Sequence, residues 1–134
     1  MKHEFPIKVF YEDTDLAGIV YYANYLKFIE RGRSSLVWDA GIDQSEMKRQ
    51  GIVFVVRHLD ADFVAPAKFE EDLVVETEIE PQKGVKLVFD QRVMRGDETL
   101  FKAKVTVVCM SLEGKPTRLP TAIWDKLQQF AAKH

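Results

Sequence analysis

Hydrophobic residues recur along this chain with two different periods, which separate one helical segment from several extended ones. From about Tyr22 to Ala40 the apolar residues follow helical spacing, and Gly41 supplies a stop signal. The pattern therefore predicts one long helix. Gly32 lies in its middle, where glycine costs about 1 kcal/mol relative to alanine, so we expect the helix to cross closely over a neighbouring element there.

Segments with a period of two surround this helix. Ile7 to Tyr11 is a β-branched and aromatic run that predicts a first strand. After a short helical turn at Asp43 to Gln50, apolar and polar residues alternate over residues 58–63, 73–79, 85–93 and 101–109. Tight turns join the last three segments, which predicts an antiparallel meander. Thr121 to Ala132 is expected to form a short closing helix with Leu127 and Phe130 inward.

These elements predict an α+β fold in which a curved sheet wraps the long helix. A helix of about 19 residues spans roughly 28 Å, and strands of about ten residues exceed roughly 30 Å, so the sheet can cover the helix. No linker or repeat divides the chain, and we expect one domain over residues 1–134. A second set of apolar positions faces away from the helix and predicts a dimer or a larger oligomer. These positions are Val74, Val88, Met94, Val108 and Met110.

Composition excludes several classes of function. The chain has 19 Lys and Arg against 21 Asp and Glu, a net charge of -2, and no basic run. Nucleic acid and acidic membrane surfaces are therefore not expected as partners. The single cysteine, Cys109, excludes an internal disulfide framework and a cysteine-rich zinc site. Neither a signal-peptide pattern nor a membrane span is recognisable, so we expect a cytoplasmic protein.

The common hydrolase motifs are missing from the sequence. There is no G-x-S-x-G, no H-E-x-x-H and no phosphate-binding G-x-x-x-x-G-K-[ST] loop. His3 and His134 lie at the ends of the chain, which leaves His58 as the one internal imidazole for catalysis. Its position in an alternating strand is more typical of a solvated polar residue. We expect no Ser-His-Asp triad, no metal and no bound cofactor.

The densest polar cluster, residues 11–18, lies between the first strand and the helix. An EF-hand loop starting at Asp13 is excluded, because Ala17 would occupy a ligand position. Asp13 or Asp15 can act as a turn or cap residue. Alternatively, a carboxylate just before a helix lies near the positive end of the helix dipole, and the free N–H groups of the first turn can bind a developing oxyanion. The pattern leaves both interpretations open.

A carboxylate beside an oxyanion hole suits a thioester as substrate. The thiolate leaves with little help from a general acid, so one carboxylate can suffice, either by attacking the carbonyl or by activating water. Tyr21, Tyr22 and Tyr25 follow the cluster. They can form the wall of an acyl pocket, or they can belong to the core.

The segment Tyr11-Glu-Asp-Thr-Asp-Leu-Ala-Gly-Ile-Val-Tyr-Tyr-Ala-Asn-Tyr25, continuing to Glu30 and Arg33, resembles the signature of the 4-hydroxybenzoyl-CoA thioesterase family of hot-dog-fold proteins. Within that family it is most similar to the Tol-Pal-associated acyl-CoA thioesterases. The resemblance implies a five- or six-stranded antiparallel sheet around one helix. It also implies dimers joined edge to edge, often in tetramers, with active sites at the interface. The implied reaction converts short-chain, long-chain or aromatic acyl-CoA to free acid and CoA.

The resemblance also implies roles for individual residues. Asp15 would be the nucleophile or general base, the backbone N–H of Tyr22 would polarise the thioester carbonyl, and Glu30 would point towards the acyl pocket. Many Tol-Pal members have His in place of Tyr22, whereas aromatic-acyl thioesterases tend to have Tyr, which leaves the acyl preference open. The remaining substrate-binding residues are expected to be Gly18, Tyr21, Tyr25 and His58.

Two other functions compete with hydrolysis, and the CoA site is less defined. A non-catalytic module would bind an acyl thioester or a protein partner in the same groove, and a hydroxyacyl-thioester dehydratase would need His58. An acyl carrier or envelope-system partner cannot be identified from these residues.

Without a phosphate-binding loop, CoA is expected on the surface, near basic residues in or just after turns. These are Lys83, Arg95, Lys115 and Arg118.

Overall fold

The fold is an antiparallel sheet with one long helix packed on it, as the sequence predicts. The computed structural model describes residues 1–81 and 85–132. The strands are β1 (His3–Lys8), β2 (Ile52–Phe63), β3 (Asp72–Ile79), β4 (Lys86–Arg95), β5 (Glu98–Ser111) and β6 (Pro116–Thr117). The helices are α1 (Asn24–Asp39), α2 (Gln44–Arg49) and α3 (Thr121–Leu127), with 3-10 turns at Tyr11–Asp13 and Gln128–Phe130.

The strand order is β1-β3-β4-β5-β2, and every neighbouring pair is antiparallel. The predicted β3-β4-β5 meander is confirmed, while the short β6 pairs with the end of β5. β1 and β2 form the two edges of the main sheet. β1 is short and contains Pro6, whereas β2 is twelve residues long and has no proline.

One face of α1 supplies the centre of the core. Its buried residues recur every three or four positions, as an amphipathic helix requires: Tyr25, Phe28, Ile29, Gly32, Leu36 and Val37. Alternate residues of the strands face this helix and are buried, among them Leu73, Val75, Val93, Phe101 and Val105. The predicted closing helix ends in a 3-10 turn, and Leu127 and Phe130 are buried as expected. None of the helices in the described residues is long and apolar enough to cross a membrane.

Gly32 brings α1 unusually close to the sheet. A Cβ atom at this position would lie 2.6 Å from Cγ1 of Val75 and 3.3 Å from Nε2 of Gln91. The fully buried Gln91 bridges the two layers, because its Nε2 donates to the carbonyl oxygen of Ile29 at 2.8 Å and to Oγ1 of Thr77 at 3.0 Å. The close crossing expected from the mid-helix glycine is confirmed.

The first strand lies earlier in the chain than predicted. It covers His3–Lys8, whereas the sequence predicted Ile7 to Tyr11. Tyr11 instead begins a 3-10 turn, because the carboxylate of Asp13 accepts a hydrogen bond from the backbone N–H of Phe10 at 2.8 Å. This local bond offers the backbone an alternative to strand pairing.

β2 begins six residues before its predicted alternation at His58. Its register against β5 shifts between Val56 and His58, so Arg57 lies in a β-bulge and the period of two is broken there. The exposed apolar surface also differs from the prediction: Val108 is buried and the other outer-face positions are partly buried. Larger exposure, between 37% and 56%, occurs along and just after β2, at Val55, Val56, Leu59, Phe63 and Val64.

Gly32→Ala tests the close crossing. The added methyl group has no space beside Val75, and overpacking of this kind costs about 1–3 kcal/mol, so we expect the free energy of unfolding to fall by that amount in urea titrations. Lys27→Ala, at an exposed position of the same helix, is the control and should change stability by less than about 0.5 kcal/mol. Equal stabilities for the two variants would contradict the steric explanation.

Candidate active site

Asp15 begins a tight turn in front of α1. The N–H of Gly18 donates to the carbonyl oxygen of Asp15 at 3.0 Å, and the N–H of Asp15 donates to the carbonyl of Ile19 at 2.9 Å. Gly18 has a φ of 80°, which favours glycine. Oδ1 of Asp15 accepts a hydrogen bond from the N–H of Ala17 at 2.9 Å. Asp15 is therefore a turn residue, and its exposed carboxylate is still accessible to a substrate.

Asp13 has a different environment. It is only 9% exposed, and its Oδ2 is bonded to the N–H of Phe10. Its carbonyl oxygen accepts from the backbone N–H of Tyr21 and from the side-chain amide of Asn24, both at 2.9 Å. Asp13 thus ties the 3-10 turn to the start of α1, which is a structural role.

The amino-terminal end of α1 has free N–H groups. The N-cap position is Ala23, whose side chain accepts no hydrogen bond. Within the described part of the chain, the backbone N–H of Tyr22 also has no acceptor, whereas that of Tyr21 is bonded to Asp13. The dipole of the sixteen-residue helix adds partial positive charge at this end. An oxyanion can therefore be bound there.

A cavity of about 320 Å³ beside this helix end has aromatic side chains in its wall. Tyr22 and Tyr25 line it together with Phe63 from β2, and the rings of Tyr22 and Phe63 are 6.0 Å apart. The ring of Tyr21 lies 5.0 Å from that of Tyr22. The cavity is mostly apolar, which suits an acyl chain. Phe63 was recognised in the sequence only as a strand residue, because its proximity to Tyr22 depends on the β2-β5 pairing.

Tyr25 belongs to both the cavity and the core. Its ring stacks on Phe101 at 4.9 Å, and its hydroxyl oxygen accepts from the N–H of Ala67 at 3.0 Å. Burial is the main cause that raises the pKa of the Tyr25 hydroxyl, so the group is neutral at neutral pH. The carbonyl oxygen of Ala67 in turn accepts a hydrogen bond from the N–H of Val20. These two hydrogen bonds hold the segment around Ala67, which forms one wall of the cavity.

A second cavity, of about 220 Å³, lies farther along α1, between this helix and β2. Glu30 lines this cavity. Its Oε1 accepts a hydrogen bond from Oγ of Ser34 at 2.8 Å. Arg33 shares this cavity and donates from Nη1 to Oε1 of Gln91 at 3.0 Å. Arg33 was part of the sequence signature without a role, because nothing in the sequence indicated its burial or its partner.

The other predicted site residues are dispersed. His58 is exposed on β2, and within the described ranges no carboxylate forms an ion pair with it. Arg95 is already paired with Glu71 at 2.8 Å and with Glu98 at 2.7 Å. Lys115 and Arg118 are exposed on either side of β6, and Lys83 lies outside the described residues.

Cysteine and metal chemistry receive no support from the described residues. Burial raises the pKa of the Cys109 thiol to about 11, so at neutral pH the thiolate needed for nucleophilic attack is scarce. Within residues 1–81 and 85–132, no three His, Cys, Asp or Glu side chains are close enough together to hold a metal ion.

An antiparallel sheet packed around one long helix is the architecture of hot-dog-fold proteins. The chain belongs to the thioesterase superfamily, whose family model matches residues 17–102. An Escherichia coli protein named acyl-CoA thioester hydrolase YbgC is 38% identical over 126 residues, which cover 92% of this chain and 94% of that protein. A Haemophilus influenzae protein named acyl-CoA thioesterase YbgC is 40% identical over 121 residues, covering 89% of each.

A solved structure supports the same assignment. The probable thioesterase from Bartonella henselae is 37% identical to this chain and superimposes with a TM-score of 0.84. The match covers 90% of this chain and 100% of that one. The similarity extends over nearly the whole fold. The family resemblance and the α+β hot-dog fold predicted from the sequence are thus confirmed.

Proposed function

We propose that this protein hydrolyses acyl-CoA thioesters, with Asp15 and the backbone N–H of Tyr22 as its catalytic groups. The names of its relatives in Escherichia coli and Haemophilus influenzae support the substrate class. The observation that carries the proposal is the exposed Asp15 carboxylate in a turn directly before a helix whose Tyr22 N–H is free of intramolecular acceptors in the described residues. One group attacks or activates water, and the other stabilises the charge that develops.

The Tyr22 N–H acts on the thioester oxygen. When the carbonyl carbon becomes tetrahedral, negative charge collects on that oxygen, and a preorganised N–H stabilises it more than it stabilises the ground state. The partial positive charge at the start of α1 adds to this effect. The Tyr22 side chain can be exchanged without removing this donor, because the donor belongs to the backbone.

Asp15 acts in one of two ways. As a general base, its carboxylate takes a proton from water while the water oxygen bonds to the carbonyl carbon, and the carbon-sulfur bond then breaks to release CoA thiolate. As a nucleophile, it forms an acyl anhydride with release of the thiolate, and water then cleaves the anhydride. The Ala17 N–H orients the carboxylate in both cases.

The Asp15→Asn variant tests the chemical role of the Asp15 carboxylate separately from its structural role in the turn. The amide oxygen of Asn can still accept from Ala17 N–H, so the turn and the fold should persist, while the charged carboxylate is lost. We expect kcat for acyl-CoA to fall at least about 100-fold, the scale seen for removal of an acid-base or nucleophilic group. Thiol release measures this effect, and circular dichroism verifies the fold.

Asp13→Asn is the matched control, two residues away. Because Asp13 is buried and engaged with Phe10, this variant should lose much less activity than Asp15→Asn. A loss at position 13 equal to or larger than that at position 15 would reverse the two assignments. Near-normal activity in Asp15→Asn would require the chemistry to lie elsewhere.

Thiol release also separates hydrolysis from the two competing functions. A hydroxyacyl-thioester dehydratase would form an enoyl thioester without free CoA, and a binding module would release nothing. His58 is exposed and has no ion pair with a carboxylate of the described residues, which does not favour the dehydratase. An assay of short aliphatic, long aliphatic and benzoyl-type CoA esters would also determine which acyl class is preferred, with Tyr22 and Glu30 proposed to set that preference.

CoA is proposed to lie on the surface near β6, where Lys115 and Arg118 are exposed. Arg95 is less suited to this role, because Glu71 and Glu98 already compensate its charge. Contacts between exposed cations and phosphates are screened over about 10 Å at 0.1 M salt. The nucleotide should therefore contribute to KM in a salt-dependent manner.

Ionic strength tests this surface contact. We expect KM for acyl-CoA to rise with salt while kcat changes little, because only binding of the nucleotide phosphates is screened. An acyl-pantetheine thioester, which lacks these phosphates, is the control, and its KM should be nearly independent of salt. If both substrates respond alike, Lys115 and Arg118 have no role in CoA binding.

We further propose that the active form is a dimer joined through β2. β2 is a long edge strand with exposed apolar side chains at Val55, Val56 and Leu59. Such an edge has backbone groups available for pairing with another strand. The opposite edge, β1, is short and contains Pro6, which cannot donate a ladder hydrogen bond. The two edges thus differ in their capacity to pair, and β2 is favoured.

Val55→Asp tests the β2 interface. A charge at this exposed apolar position should oppose burial between two chains, so we expect light scattering to shift from a dimer or tetramer towards the 15.5 kDa monomer. Activity should fall in parallel if the site needs both chains. Gln128→Asp, at an exposed position beside β3, is the control. A wild-type protein that is fully active as a monomer would refute the proposal.

A further inference from the structure

The second cavity contains an arginine, Arg33, that forms no ion pair with any carboxylate of the described residues. Arg33 has one hydrogen-bond acceptor in the described residues, Oε1 of Gln91, and it forms no ion pair within 4.0 Å there. Arg95, by contrast, is paired with two glutamates. A guanidinium has five N–H donors. Most of the donors of Arg33 are therefore available to a ligand in the cavity.

Gln91 holds Arg33 in place. Both hydrogens of its Nε2 are directed at acceptors, Ile29 O and Thr77 Oγ1, so the amide oxygen has to face Arg33. Gln91 is fully buried, and Gly32 lets the helix approach it closely. The position of the guanidinium is thus fixed before a ligand binds, which reduces the entropy lost on binding.

The surroundings of Arg33 favour an anionic group at the end of an apolar chain. Burial lowers the pKa of the guanidinium, with the charge of Glu30 acting in the opposite direction. An anion that accepts two N–H bonds offsets the cost of removing such a cation from water. Glu30 is exposed and bonded to Ser34, so its repulsion of an anion is more strongly screened. The rest of the cavity wall is largely apolar and includes Val37, Phe54, Val56, Phe89 and Val107.

We propose that Arg33 binds the far end of the acyl chain and selects acyl-CoA substrates whose chain ends in a carboxylate. This inference rests on the proposed thioesterase function and assigns its substrate class. Tyr22 and Arg33 are eleven positions apart, or roughly 16 Å at 1.5 Å per residue, and a long helical side chain leans back towards the amino terminus. A dicarboxylic acyl group of medium length can therefore contact both residues.

Pairs of substrates that differ at one end of the chain test the selection. Adipoyl-CoA is compared with hexanoyl-CoA, and pimeloyl-CoA with heptanoyl-CoA. In the wild-type protein we expect the carboxylate-ended member of at least one pair to have the higher kcat/KM. Arg33→Gln retains an N–H donor for Gln91 but removes the charge. It should lower the ratio of the two kcat/KM values about 10-fold or more, the scale of a charged hydrogen bond.

Two further variants serve as controls. Arg31→Gln removes an exposed charge from the same helix and should leave the ratio unchanged. Arg33→Lys keeps the charge but loses the two-pronged geometry, so it should retain part of the preference; it also replaces Arg33→Gln if that variant does not fold. A wild-type ratio below one in both pairs, or equal ratios in wild type and the Arg33 variants, would overturn the inference.

Binding measurements distinguish this inference from the proposed function. Calorimetric titration of Asp15→Asn with adipoyl-CoA and hexanoyl-CoA gives the two dissociation constants without turnover. Tighter binding of adipoyl-CoA that disappears in Asp15→Asn/Arg33→Gln supports the role of Arg33 even if the wild-type protein releases no thiol. Equal affinities for both esters would overturn it, whatever the outcome of the activity assay.

Discussion

The contact between α1 and the sheet at Gly32 is the constraint on which the rest of the structure depends. With no side chain at this position, the helix backbone rests directly against Val75, and Gln91 can reach the helix carbonyl of Ile29. A buried amide with unpaired donors is costly, so this bridge restricts both the distance and the rotation of the helix. A helix placed farther away would leave Gln91 without partners and open a gap in the core.

The position of α1 against the sheet determines where both ends of the candidate substrate site lie. Tyr22 lies just before α1 and Arg33 lies on its third turn, so a rigid element sets the separation between the proposed oxyanion donor and the cation. The Asp15 turn is fastened to the same region, because Asp13 bonds to Tyr21 and Asn24. Sites built on packed helices are held more accurately than sites on free loops.

The sequence predicted the parts of this molecule that depend on local pattern. The long helix and the meander have uninterrupted periods, and the polar cluster before the helix contains Asp15. The prediction failed where single interactions override the pattern. The hydrogen bond that the Asp13 side chain accepts ends the first strand early. A bulge at Arg57 interrupts the alternation of apolar and polar residues, so the first half of β2 was not predicted. The hydrogen-bond partner of Arg33 also could not be read from the sequence, since Gln91 is 58 positions away.

The unequal edges of the sheet limit how far this protein can assemble. Pairing of two β2 strands would be isologous, since each chain contributes the same edge, and it would leave only the two β1 strands at the ends of the joined sheet. Each of these is short and carries Pro6. The β2 strands are thus already paired with each other in the dimer. The remaining β1 edges are unsuited to adding further chains strand by strand, as fibre formation would require.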